Sequence, residues 1–478
     1  MKVGFAEVDI TPRVGMQIHG GYGQIFSQGV RDPLKAEAVV LDDGVTQVAL
    51  VGLDLLGIHN SIAWDARARV AKATDIPGEH VLMGCSHNHC GGPTEMFHPA
   101  MFEQVPERER CLKLLTETAS HVDPDYAIQV AAGIAEAVRQ AWERKQDALL
   151  APGIGKEPTV AFNRRFRMRD GRTVTHPGKC NPDILEPAGP VDPDVGVLSA
   201  WTPGGEFLGC VVNFTCHGTC GVGLNEYSAD WPYFMDETIK GLMGREATVV
   251  FLNGACGDVT QVDNRSFTPP DFGPECGRFV GGRVGAEAVK VIVGSRERHD
   301  LAPISVRRAV LEVPFRELPA ERLENALRRL EQEPRDIEWC YARDLYLRSQ
   351  LQQVIRTWPV EVQVIQVGPV VFAANPGEFF CQYGLDIKAG SGFPYTFVVE
   401  LANGSAGYIP TEDAFLPTGG GYESRHGGHS YLRPDTGRRI VETTLSLIRE
   451  LPPPRPIPPK QHTTGQPWDM GLWGPELA

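Results

Sequence analysis

The chain is short of the features that would place it in several large functional classes. It has no run of about 18 apolar residues, the length a membrane-spanning helix needs, so no transmembrane segment is expected. No apolar stretch follows the opening MKVGFAEVDITPR, so a secretory signal is not expected and a cytoplasmic location is. Neither a GxGxxG after a strand-like run nor a P-loop occurs, so no dinucleotide or nucleoside triphosphate is implied. Positive charge is scarce: 46 Lys and Arg stand against 60 Asp and Glu, a formal net charge of −14. That balance argues against nucleic acid or an anionic membrane surface as the main partner. The 11 cysteines form no CxxC pair, and an odd number in a cytoplasmic chain reads as free thiols rather than a disulfide framework.

What is present is an ordinary globular composition, 42% hydrophobic and 22% charged over 478 residues, with ample apolar surface for a large core. Length alone suggests about two to four domains. No internal repeat is found, however, and the clear shift in composition comes after Leu451, where the chain reads PPPRPIPPKQHTTG. We therefore read residues 1–451 as one catalytic unit, with a lobe near 300–360, and 452–478 as an extended proline-rich tail. Strand-like runs fall at 38–41, 47–53, 81–84, 195–201, 208–215, 248–252, 362–367, 370–374 and 396–401. Asp43-Gly44 between the first two is a hairpin signal. Helices are expected at 61–74, 124–144, 232–243, 279–293, 320–332, 336–355 and 437–451. In the second of these, Asp123 can cap, Pro124 suits the first turn, and Val130, Ile134, Val138 and Ala141 share a face. Hairpins mixed with strand–helix alternation predict an α/β fold, a mixed β-sheet sandwich with flanking helices.

Polar, glycine-bearing loops follow five of the apolar strands. They are Cys85-Ser86-His87-Asn88-His89-Cys90-Gly91-Gly92-Pro93, then Asn213-Phe214-Thr215-Cys216-His217-Gly218-Thr219-Cys220, then Asn253-Gly254-Ala255-Cys256-Gly257-Asp258-Val259-Thr260, then Asn375-Pro376-Gly377-Glu378, and finally Asn403-Gly404-Ser405-Ala406-Gly407-Tyr408. Each alone has a bland reading: a hydrogen-bonded surface histidine, a core histidine, a capping Asp or Glu. Together they sit at the C-terminal ends of strands, where active sites of open α/β sheets gather. Two histidines and a carboxylate make a zinc-hydrolase ligand set that leaves a position for water.

Read in order, these motifs resemble the neutral/alkaline ceramidase family. Its AxxDITP-like start is matched by Ala6-Glu7-Val8-Asp9-Ile10-Thr11-Pro12 with Gly20-Gly21-Tyr22 following, its THTHSGPGG-like loop by SHNHCGGP, and its NRS-like element by Asn163-Arg164-Arg165. VDPxxxVL is matched by Val191–Leu198, the ATHGT-like loop by TCHGT at 215–219, and NAGDVSPN by GACGDVTQV at 254–262. The PGE element falls at Pro376-Gly377-Glu378 and the NDYxGY-like strand end at NGSAGY, 403–408. Tyr422-Glu423-Ser424-Arg425-His426-Gly427-Gly428-His429 is similar to the family's YEG…GPHTL stretch and suggests a loop over the site. The match spans about residues 4–448.

The resemblance implies one zinc per chain, held by His87, His217, Glu378 and Tyr408 and completed by water. It implies attack of that water on an amide carbonyl, with His89 and Arg164 hydrogen-bonding the carbonyl oxygen or substrate, and with Thr260 standing where the family has a serine. Asp54 is a candidate to orient a ligand histidine. Cysteines 85, 90, 216, 220 and 256 replace the family's Thr, Ser and Ala. Family members usually carry a secretory signal and a C-terminal immunoglobulin-like domain, neither of which is read here. The expected substrate is accordingly a small soluble amide or ester rather than membrane ceramide. Two other readings stand beside this one. In one, a metal-dependent esterase or phosphoesterase holds two metals on Asp54, His87, His89, His217 and Asp258; in the other, a non-catalytic protein binds metal or redox partners through its thiols.

Overall fold

The computed structural model describes residues 1–268 and 270–454; the proline-rich tail read at 452–478 lies, beyond residue 454, outside the described residues. Three larger sheets organise the molecule. The first runs in the order Val81–Cys85, Gln47–Leu53, Lys35–Asp42, Lys2–Asp9, Gln146–Asp147. The second runs Thr248–Asn253, Phe207–Phe214, Asp194–Trp201, Leu149–Lys156. The third runs Ile304–Pro314, Thr357–Val367, Val370–Ala374, Tyr395–Val399.

Period-two alternation sorts each strand between two cores. In Gln47–Leu53, Val48 and Leu50 point to a core that also takes Leu198, Val211, Val250 and Leu252 from the second sheet and Ile365, Phe372 and Phe397 from the third. Ala49, Val51 and Leu53 point the other way, against the helices Asn60–Ala73 and Pro124–Glu143. The outer face of the second sheet is covered by Asp230–Met243 and Pro274–Gly294, and that of the third by Cys381–Ser391 and Thr436–Arg449. All three sheets thus share one central core, each with its own helical cover. The sandwich expected from the sequence is a three-sheet one.

Local signals explain the elements. Lys35–Asp42 and Gln47–Leu53 pair from Asp42↔Gln47, and the turn between them is held by Asp43 Oδ1, which accepts from Val45 N and Thr46 N, with Gly44 at φ +85°. Asp123 caps Pro124–Glu143 by accepting from Asp125 N and Tyr126 N, both at 3.0 Å. That helix buries Val130, Ile134 and Val138, and burying one such side chain fully is worth about 1.5–3 kcal/mol. All seven expected helices are present within a few residues of their expected ends.

Three elements run against their local signals. Leu149–Lys156 carries Pro152 and two glycines inside a strand; it is the edge of its sheet, where proline costs no ladder bond. Ile304–Pro314 reads as polar because most of its residues are only partly buried. Cys381–Ser391 is a helix despite two glycines, because a Cβ on Gly384 would lie 2.7 Å from Ala255 Cβ and one on Gly390 2.8 Å from Leu445.

Each sheet contains one parallel pair: Gln47–Leu53 with Val81–Cys85, Phe207–Phe214 with Thr248–Asn253, and Val370–Ala374 with Tyr395–Val399. Buried amides tie the C-terminal ends of these strands together across the sheets. Asn253 Nδ2 donates to Ser86 O and Cys216 O, both at 3.0 Å, and Asn213 Nδ2 donates to Leu252 O and Val398 O, both at 2.8 Å. The five polar loops therefore emerge side by side.

Candidate metal centre

His87 leaves the first sheet in a left-handed backbone conformation, φ +59°, which costs a non-glycine residue roughly 1–2 kcal/mol. The His217 loop holds it there: Gly218 N donates to His87 O and His89 N donates to Gly218 O. Only a glycine permits this approach, since a Cβ at 218 would stand 2.8 Å from Asn88 Cα and 2.9 Å from His87 O. The two histidine loops are thus locked by backbone before any side chain is considered.

Each of the three rings is fixed from behind. Nδ1 of His87 donates to Leu56 O (2.9 Å), Nδ1 of His89 to Gly20 O (2.8 Å), and Nδ1 of His217 to Cys256 O (2.7 Å). With Nδ1 donating in each, Nε2 is the atom that every ring turns toward the cavity, and in His89 and His217 it carries a bare lone pair. All three Nε2 atoms are buried without a hydrogen-bond partner, and the donor atoms of the three rings lie within 4.8 Å of one another. Oε2 of Glu378, also without a hydrogen-bond partner, lies 3.1 Å from His87 Nε2 and 3.6 Å from His217 Nε2. Burial pushes His87 down, but the Glu378 carboxylate outweighs it and holds the imidazole at about 9. Burial takes His89 down to about 3 and His217 well below its ordinary value, so both stay neutral, the form that ligates metal.

Four converging orphan atoms, three imidazole nitrogens backed by carbonyls and one carboxylate oxygen, fit a divalent metal of the zinc type. Among the described residues, the group of His, Cys, Asp and Glu close enough to hold a metal is His87, His89 and His217, and it contains no cysteine. Glu378 arrives through a short parallel pairing that sets it opposite Tyr408. Tyr408 Oη accepts from Arg164 Nη2 at 3.1 Å and lies 2.8 Å from Tyr422 Oη. Arg164, itself 3% exposed, is anchored by Glu423 (2.9 Å) and Gly257 O (2.8 Å).

The sequence-derived candidates divide on this geometry. His87, His89, Glu378 and Tyr408 line one cavity of about 260 Å³, with His217 beside them. Arg164 stands behind Tyr408. Thr260 is elsewhere: its hydroxyl donates to Gln261 Oε1 at 2.8 Å, and it is not part of the cavity wall. His89 turns its Nε2 into the cavity. Nδ1 of His89 donates to Gly20 O, which leaves Nε2 of the neutral ring as an acceptor. Asp54 orients no histidine, because its Oδ2 accepts from Lys35 N and backbone carbonyls do the orienting. Asp258 spends both oxygens, on Cys381 N and Asn163 Nδ2, so the two-metal set does not assemble.

Other residues in the cavity wall were not identified as site residues from sequence. Glu95 lies two residues beyond the SHNHCGGP loop and is 3% exposed; Ser405 Oγ donates to it at 2.6 Å, and burial holds its carboxyl up at about 7. Its carboxyl fits because Gly57 has no Cβ, which would lie 2.6 Å from Glu95 Cδ. An acid so close to a histidine loop was a visible signal. Tyr341, from the helix Ile337–Leu351, gave none. Tyr422 and His429 also line the cavity, so the loop expected to lie over the site does so, and its residues 426–431 are buried rather than exposed.

No family model matches the chain, and no curated protein does. Among solved structures, one described as a ceramidase complexed with C2 is 18% identical, with a TM-score of 0.69 over 96% of this chain and 77% of that one. The neutral ceramidase from Pseudomonas aeruginosa is 19% identical, with a TM-score of 0.68 over 96% of this chain and 76% of its own. At that identity the likeness is one of architecture, over 96% of this chain: it has the neutral ceramidase fold.

Proposed function

We propose that the protein is a hydrolase that uses one zinc ion to cleave an amide, N-acyl, bond in a small substrate. The observation that carries this reading is the convergence of three unpartnered Nε2 atoms and Glu378 Oε2 on one point in the cavity wall. The fold shared with structures named as ceramidases supports the choice of an amide.

His87, His217 and Glu378, with Tyr408 alongside, would hold the ion. When bound, zinc supplies a water whose pKa lies near 7 and which is therefore nucleophilic at neutral pH. The chain's own residues do the rest. His89 offers its Nε2 lone pair as a further ligand or as a proton acceptor. Arg164 acts on substrate through Tyr408: its guanidinium orients and polarises the phenol, which lines the same cavity as Glu378. Thr260 supports the loop through Thr219 and Gln261 rather than touching substrate. The modest cavity suits a short amide.

An ester would use the same groups. A phosphoester fits less well, because the wall contains Glu95 and Glu378 and no Lys or Arg. The thiol reading fares worst: burial drives the thiols of Cys85, Cys90, Cys216, Cys220 and Cys256 far up, away from the thiolate that binds metal. The test is amine release from a panel of short N-acyl amines by zinc-loaded protein. We expect turnover that Glu378→Gln abolishes; a variant as active as the wild type would overturn the proposal.

A further inference from the structure

A second cavity, of about 300 Å³, lies between the helices Ala320–Leu330 and Ile337–Leu351 and the loop 422–431. Its wall presents Arg322, Arg329, Arg425 and His426 with one acid, Glu338. Two of these arginines are satisfied: Arg425 Nη1 lies 2.8 Å from Glu338 Oε1, and Arg329 Nη2 lies 2.7 Å from Asp336 Oδ1. Arg322 is not. Among the described residues it makes no ion pair; its Nη2 donates to His426 O at 3.3 Å, and its Nε has no partner. His426, 7% exposed, has an unpartnered Nε2.

The surplus charge extends beneath the cavity. Arg316 donates to Ser424 O (2.8 Å) and Ser430 O (3.1 Å), and Arg348 to Gly428 O (3.0 Å), again without an ion pair among the described residues. Burial and the nearby Arg322 bring Arg316 down to about 10. Three cations therefore hold one loop by its carbonyls without a direct ion pair among the described residues, with Glu338 and Asp344 acting on Arg322 and Arg348 only from a distance. Burying charge unpaired is unfavourable, and a cationic cleft with free N–H groups is the complement of an oxyanion.

We propose that this cleft binds a phosphoryl group, with Arg322 as its principal ligand and Arg329 and Arg425 beside it. The site adjoins the candidate catalytic cavity: Tyr341 lines both, the Arg425 guanidinium carbon sits 4.2 Å from its ring centroid, and the clamped loop supplies Tyr422 and His429 to the catalytic wall. Occupancy would neutralise the arginines that hold the loop and so set its position over that wall. The phosphoryl group could be inorganic phosphate or a phospholipid headgroup.

The experiment is calorimetric titration of the full chain with inorganic phosphate at low ionic strength. Cosedimentation with phosphatidylglycerol vesicles, against phosphatidylcholine ones, is measured alongside. The expected result is saturable binding that weakens at least tenfold in Arg322→Gln and in Asn325→Glu, which puts a carboxylate at the cavity wall from an exposed position. Melting temperature identifies any variant that fails to fold. Arg322-dependent binding of phosphate supports the free ion, and Arg322-dependent binding of phosphatidylglycerol vesicles alone supports the headgroup. No binding of either, or binding indifferent to both substitutions, as for phosphate seated on the metal centre, would overturn the proposal.

Discussion

Glu378 and Tyr408 stand directly opposite each other in a two-residue parallel ladder, with Phe379 opposite Ile409 as its second rung. Neighbouring strands lie about 4.8 Å apart, so their side chains emerge together on one face. The ladder is pinned at both ends: Glu378 N donates to Gly407 O, and Tyr408 N to His429 O. Glu400 Oε2 adds a further tie, accepting from both Phe379 N and Cys256 N. One rigid two-stranded unit just beyond the third sheet thus presents a carboxylate and a phenol to histidines carried by the other two.

The first prediction concerns metal. Elemental analysis of purified protein should find one zinc per chain, and His217→Ala should lose it. Disturbing even the groups behind a ligand costs about 10–100-fold in affinity, so removing a ligand should cost more. Zinc that survives in His217→Ala would show that these histidines are not its ligands.

A second prediction separates loop geometry from ligand chemistry. Gly218→Ala leaves every candidate ligand in place but forces a Cβ to within 2.8 Å of Asn88 Cα. Zinc affinity should fall at least tenfold while the far-ultraviolet circular dichroism is unchanged. Undiminished affinity would mean that the two loops tolerate separation.

These two variants bear on what could be read from the sequence. His87, His217 and Glu378 were legible as candidates because each lies in a glycine-bearing loop after an apolar strand. The resemblance to ceramidases supplied Tyr408, which no periodicity marks. Their meeting point was not legible: it depends on Asn253 and Asn213 reaching between sheets, and a buried amide looks in sequence like any loop asparagine. Tautomers were equally hidden, since the role of His89 turns on the carbonyl of Gly20, and Gly20 shows in sequence only as part of a GGY motif. The edge strand Leu149–Lys156 was missed because Pro152 argues against strand unless one knows that it lies at an edge.

The third prediction is a pH dependence. His59 caps Asn60–Ala73, with Nδ1 accepting from Ser61 N, and burial, with His98 and Arg348 nearby, takes it down to about 4. A folded value below the ordinary 6.5 means that the unfolded chain binds more protons below that pH. Its contribution is therefore present above about 6.5 and is lost as pH falls toward 4. At pH 5 the loss is about 2 kcal/mol, from about 1.5 units at 1.36 kcal/mol each. His59→Asn keeps a capping side chain without the titration. The stability difference between wild type and variant should shift by that amount between pH 7 and pH 5 in denaturant melts; a constant difference would contradict the assignment.

The fourth concerns the thiols. Cys180 is exposed and Cys340 partly so, whereas the cysteines of the polar loops, Cys85, Cys90, Cys216, Cys220 and Cys256, are buried, Cys256 Sγ donating to Glu400 Oε1 at 2.7 Å. Under native conditions a thiol reagent should modify Cys180 fast, Cys340 slowly and the loop cysteines not at all, and bound zinc should be unaffected. Metal released in step with alkylation would restore the thiol reading.

The core shared by the three sheets would make a metal bound there a witness to the whole molecule. Because Glu378 and Tyr408 hang from one sheet and the histidines from the other two, no sheet can peel away and leave the ligand set intact. Zinc release on denaturation should therefore coincide with loss of the tryptophan signal from Trp231, which is packed between Phe214 and Phe251. A chelator-coupled dye would then count unfolded molecules as directly as any spectroscopic probe.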